Sequence, residues 1–145
     1  MGDTIVGILN NVDCPKGADV YVAMAYFTNP RVAIAERLAE MDAQGCGVHV
    51  LAREDTSLDI ISTLSTGTID LSLQPLMHSK YLLINGAYGA NSSQQELVWT
   101  GSHNYTEPAL RKNDETLLKI RQGAVFDAFF EDWQHARASA LTLYP

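Results

Sequence analysis

The sequence predicts an α/β domain, a mixed and mostly parallel sheet flanked by helices. Three features carry this: a strand–helix–strand unit near the start, continued alternation of strand-like and helical segments, and one hairpin. The chain has 145 residues, 46% of them hydrophobic and 19% charged. That composition is globular, and the length suits one domain over residues 1–145.

The elements follow in order. Residues 4–12 form a pattern too brief to separate helix from strand. Residues 20–27 are continuously apolar and rich in strand formers, as in a strand covered on both faces. Asn29-Pro30 supplies an N-cap and a proline at the first helical position, Ile34, Leu38 and Met41 mark one helix face, and Gly45 ends it. Residues 48–52 are the next strand, so the two strands are expected to be parallel with a right-handed crossover. A short helix is expected over 56–64, a weak strand over 69–73 and a strong one over 80–84. Residues 85–93 read as turn-rich, with 97–100 as the hairpin partner. A helical turn at 106–110, a strand at 115–120 and an amphipathic helix over 124–140, with Val125, Phe129 and Trp133 on one face, complete the chain.

Ten Lys and Arg against 17 Asp and Glu give a net charge of −7. This disfavours broad non-specific nucleic-acid binding, though not a local basic site. No apolar run approaches the ~18–20 residues of a membrane span. The start, Met1-Gly2-Asp3-Thr4, lacks the basic and apolar segments of a signal peptide, so export would require a signal already removed. The two cysteines make no metal-binding pattern and no metal or cofactor is implied.

Candidate chemistry lies in Met77-His78-Ser79-Lys80-Tyr81. Alternation along a strand puts His78 and Lys80 on one side, a costly pairing unless an anion sits between them. Downstream come Gly101-Ser102-His103-Asn104 and Asn113-Asp114-Glu115. Imidazole, ammonium, hydroxyl, amide and carboxylate together suit phosphoryl chemistry: a nucleophile, ligands for phosphate oxygens, and a group to orient the ring. The other histidines read as structural or peripheral: His49 in a strand, His103 at the rim, His135 near a helix end. Trp99 and Trp133 read as core or interface residues, and Tyr81 and Tyr105, which flank the motifs, as packing residues in preference to pocket lining.

HxK, then GSxN, then N-x-E in this order resembles the phospholipase D superfamily, the HKD phosphodiesterases, and the order of elements agrees through Ile120. The resemblance implies a phospholipase D-like fold and a metal-independent phosphodiesterase. His78 would be nucleophile or general acid. Lys80, Ser102 and Asn104 would bind phosphate oxygens, and Glu115 would fix the His78 tautomer. The family usually has Asp where this chain has Asn85, which alternation puts on the face away from His78, so a structural role is expected. The family also brings two HKD motifs to one site, whereas this chain has one. The resemblance therefore implies a homodimer, as in the family's small nucleases, or one half of a longer two-domain enzyme, as in most of its phospholipases.

The substrate is expected to be a phosphodiester, a phospholipid head group in preference to a nucleic-acid backbone. The alternatives are a homodimeric endonuclease and a non-catalytic phosphate-binding half-domain. Cys14 precedes the first strand and Cys46 the second, so a parallel pair would bring them to the same end of the sheet. A disulfide there would point to an oxidising compartment; the alternative is two buried thiols, compatible with the cytoplasm. Residues 11–15 and 45–48 also look like exported phospholipase D-like proteins of actinobacteria.

Overall fold

The computed structural model describes residues 2–102, 105–106, 116–140 and, for the backbone alone, 142–144. Among these residues are seven strands, β1 (Ala18–Met24), β2 (Gly47–Arg53), β3 (Asp70–Gln74), β4 (Lys80–Tyr88), β5 (Ser93–Gly101), β6 (Leu117–Ile120) and β7 (Thr142–Tyr144). They form one sheet in the order β6-β5-β4-β1-β2-β3-β7. Among the described residues the α-helices are α1 (Thr4–Leu9), α2 (Val32–Ala43), α3 (Leu58–Leu64) and α4 (Gly123–Ala138).

Side-chain alternation explains the layers. Val22, Val50, Leu82 and Ile84 face α1, α2 and α3, packing with Ile5, Leu9, Ile34, Leu38, Met41, Ile60 and Leu64. Ala23, Leu51 and Leu83 face α4, packing with Phe126 and Trp133. With both faces covered there, the second half of β1, Val22 to Met24, is buried throughout, as its apolar run predicted, while Asp19 and Tyr21 are half-buried.

The strand–helix–strand unit is as expected: β1 and β2 are parallel, Val22 opposite Val50. The sheet is mixed, but with fewer parallel pairs than the alternation suggested. Only β1–β2 and β2–β3 are parallel, while β1–β4, β4–β5, β5–β6 and β3–β7 are antiparallel. The short connection from β3 into β4 carries no crossover helix, so β4 turns back and runs against β1.

The turn expected over 85–93 is narrower. Strand β4 runs on to Tyr88 and β5 starts at Ser93. Gly86 marks a close approach, not a turn: a Cβ there would lie 2.4 Å from Ala18 Cα. Strand β7, which closes the β3 edge, had no clear sequence signal. In α4 the buried residues are Phe126 and Trp133, with Val125 and Phe129 half-buried at the margin of the stripe. The expected turn at 106–110 lies outside the described residues after Thr106.

Cys14 and Cys46 form a disulfide with Cα atoms 4.8 Å apart, at the end of the sheet where β1 and β2 begin. Among the described residues, no helix is long and apolar enough to cross a membrane.

Candidate active site

The last residues of β1 and β2, the first of β4 and the last of β5 meet at one end of the sheet. Met24 lies opposite both Ala52 and Lys80, and Tyr81 lies opposite Thr100. Here the start of β4, with Lys80, meets Gly101 and Ser102. Lys80 opens β4, and the Ser79 carbonyl already accepts from Ala25 N at 2.9 Å, so His78 sits at the mouth of the ladder, exposed. The Lys80 ammonium donates to the His78 carbonyl at 3.3 Å, while its half-buried stem runs past Met24, Leu82 and Trp99.

Gly101 ends β5 because nothing larger fits: a Cβ there would lie 1.8 Å from the Thr116 carbonyl oxygen. The close approach pairs Ser102 with Thr116 in both directions. Ser102 N donates to Thr116 O, and Thr116 N donates to Ser102 Oγ, each at 3.0 Å. Asn104, His103 and Glu115 lie outside the described residues.

The segment beyond Ser102 is caught again at Tyr105. Its N–H donates to Tyr26 O, and its carbonyl accepts from Thr28 N, each at 2.9 Å. The ring is buried, edge-on to Phe27 at 5.0 Å. Burial pushes its phenol pKa well up, against the lowering effect of Arg31. Arg31 is wholly buried, paired with the Asp3 carboxylate, and donates from Nη1 to Thr106 O at 3.0 Å. Sequence reading gave Arg31 no part here; its only signal was a charge in the first turn after Asn29-Pro30.

Beside the strand ends, between β4, β5 and α4, opens a pocket of about 400 Å³ lined by His78, Lys80, Tyr81, Thr100, Phe129 and Asp132, among others. Tyr81 is buried, and its hydroxyl donates to Asp132 Oδ2 at 2.8 Å. Burial first, then that bond and the Asp132 charge, push the Tyr81 phenol far above the ordinary range. Nothing in the residues 124–140 pattern set Asp132 apart from the other carboxylates of that helix.

Asn85 is not part of this corner. Five residues along β4 from Lys80, it stands roughly 17 Å from that residue. It is exposed, beside Glu96 and Arg121 at the far end of the sheet. His49 stacks on Tyr21, ring centres 4.5 Å apart, and His135 is exposed in the last turn of α4. Trp99 and Trp133 are core residues, Tyr105 is buried in packing, and Tyr81 is buried but also lines the pocket. Among the described residues no group of three His, Cys, Asp or Glu could hold a metal ion.

The family model described as the cardiolipin synthase, PLD-like domain matches residues 15–136. The chain belongs to this family, and with it to the phospholipase D superfamily of phosphodiesterases. Solved structures share the fold. Nuc from Salmonella typhimurium, described as a phospholipase D family member, is 23% identical, with a TM-score of 0.72 over 94% of this chain and 86% of that one. NucT from Helicobacter pylori is 19% identical, with a TM-score of 0.73 over 94% and 86%. TrmBL2, an archaeal chromatin protein described as showing a novel mode of DNA binding, is 14% identical, with a TM-score of 0.60 over 93% of this chain and 48% of that one. No curated protein matches the chain.

Proposed function

We propose that the chain is one phospholipase D-like domain that cleaves or transfers a phosphodiester through a phosphohistidine on His78, without a metal, as a pair of copies sharing one site. One observation carries the reading: the His78–Lys80 strand start and the Gly101–Ser102 strand end meet at one corner of the sheet beside a pocket.

In this scheme the His78 imidazole attacks phosphorus. A P–N bond forms as the bond to one alcohol breaks, and the departing oxygen takes a proton from the second copy's His78. That histidine then takes a proton from water or an acceptor alcohol, whose oxygen attacks phosphorus and releases the first His78. Lys80, Ser102 and Asn104 hold the phosphate oxygens, and Glu115 orients the ring.

Pairing is supported by the surface around the corner. The large exposed apolar side chains among the described residues are Tyr26, Leu58, Leu76 and Leu118. Tyr26 and Leu58 follow the ends of β1 and β2, Leu76 precedes His78, and Leu118 lies opposite Thr100. All four lie toward the end of the sheet that needs a second histidine, spread from β6 to the connection between β3 and β4. The disulfide favours an exported protein.

The test is turnover of bis(p-nitrophenyl) phosphate in EDTA by the parent chain and by His78→Asn, with the mass in solution measured alongside. Turnover that survives chelation, falls by at least about a thousandfold in the variant and comes from a particle of two chains is the expected result. A monomer without turnover that still binds phosphate would replace this reading with a non-catalytic half-domain.

A further inference from the structure

The scheme above leaves Asp132 without a task, although it stands on the wall of the pocket that His78 and Lys80 also line. Its carboxylate is held there: Tyr81, buried, donates to Oδ2 at 2.8 Å, and the Tyr81 ring is braced edge-on by Phe129 at 5.0 Å. A carboxylate can accept about four hydrogen bonds, and Tyr81 takes one. Among the described residues no cation pairs with Asp132. The site thus pairs a wall that repels negative charge with an opening that must receive one phosphate.

A polynucleotide brings a further phosphate on either side of the one cleaved, and a pocket with a fixed, uncompensated carboxylate is a poor place for it. An alcohol bearing ammonium or hydroxyl donors meets the same carboxylate favourably, and Phe129, an aromatic ring, lines the same pocket. The volume of about 400 Å³ is within the range that small ligands fill.

We propose that Asp132 selects one of the two groups esterified to the phosphate, accepting an alcohol that carries hydrogen-bond donors and no further negative charge and turning away a polyanion. This rests on the phosphodiester chemistry proposed for His78 and narrows its substrate class.

The test compares two chromogenic diesters that differ only in the charge of one ester, p-nitrophenyl 2-aminoethyl phosphate and p-nitrophenyl 2-carboxyethyl phosphate. The readout is the ratio of their kcat/KM values in the parent, in Asp132→Asn, which keeps an acceptor for Tyr81, and in Asp132→Lys. The parent is expected to prefer the aminoethyl ester by about tenfold, chiefly through KM. Asp132→Asn should bring the ratio near one, and Asp132→Lys should invert it. A purely structural role would slow both esters together, and an unchanged ratio in the variants overturns the proposal. If the parent cleaves neither ester, the catalytic reading fails on its own account. Calorimetry with phosphoethanolamine and 3-phosphopropionate then decides: a preference for the amine that Asp132→Asn abolishes upholds the selection, and equal binding of the two overturns it.

Discussion

The guanidinium of Arg31 lies 5.8 Å above the centre of the Tyr105 ring, and the two side chains are almost wholly shut off from solvent. This contact joins three parts of the chain. Asp3, the partner of Arg31, also caps α1 through Ile5 N and Val6 N. Arg31 itself holds the Thr106 carbonyl, and Tyr105 bridges to Phe27 just past β1. Ser102 is held by its mutual bonds with Thr116, and Tyr105 by its backbone bonds to Tyr26 and Thr28.

Arg31→Met should therefore be costly. It strands the Asp3 carboxylate and the Thr106 carbonyl without their cation, a loss of about 3–5 kcal/mol for a buried pair broken on one side. Urea unfolding is the measurement. A loss below about 1 kcal/mol would mean the pair is solvated like a surface bridge.

Alkali should destabilise the protein earlier than its core would suggest. The folded-state pKa values of Tyr81 and Tyr105 are raised, chiefly by burial. Below pH ~10 both phenols are protonated folded and unfolded alike. Above it the unfolded chain loses those protons first, so stability falls, by up to about 1.4 kcal/mol per pH unit for each tyrosine. Tyr21 and Tyr88, also raised by burial, add to the slope. Urea midpoints from pH 9 to 11 should decline more gently in Tyr105→Phe. That variant should be near neutral at pH 7, because the Tyr105 hydroxyl has no hydrogen-bond partner among the described residues.

Reducing the Cys14–Cys46 bond frees a loop of 32 residues. The chain-entropy relation puts this at about 3–4 kcal/mol. A Cys14→Ser, Cys46→Ser double variant should show that drop in a denaturant titration and give a curve that added reductant does not move.

Gly101→Ala should damage the site more than its size suggests. The added methyl would meet the Thr116 carbonyl, so the backbone must part there, at a cost of at least about 2–3 kcal/mol. Separation breaks the mutual bonds of Ser102 and Thr116. Turnover of bis(p-nitrophenyl) phosphate is expected to fall even at temperatures where circular dichroism shows the variant folded.

Much of this architecture was legible because it is local. Ile34, Leu38 and Met41 repeat at helical spacing and are all buried, and the apolar run through Val22 reads as a strand covered twice. The motif corner was legible as order along the chain: HxK, then GSxN. What escaped reading is set by contacts distant in sequence. Gly86 looks like a turn residue until Ala18 is laid beside it. Asp132 reaches Tyr81 across 51 positions, and Arg31 reaches Thr106 across 75. A charged side chain in a helix or a first turn carries no mark of the partner it will meet.

The two tryptophans of the chain fall on opposite faces of the sheet. Trp99 packs in the layer of α1, α2 and α3, and Trp133, a residue of α4, packs onto the other face, its indole N–H on the Val22 carbonyl at 3.1 Å. Each layer thus holds its own fluorophore. With Trp99→Phe and Trp133→Phe made separately, emission during unfolding would report on one layer at a time. A lag between the two signals would reveal whether the helix that walls the pocket can lift away while the rest of the sheet stays packed.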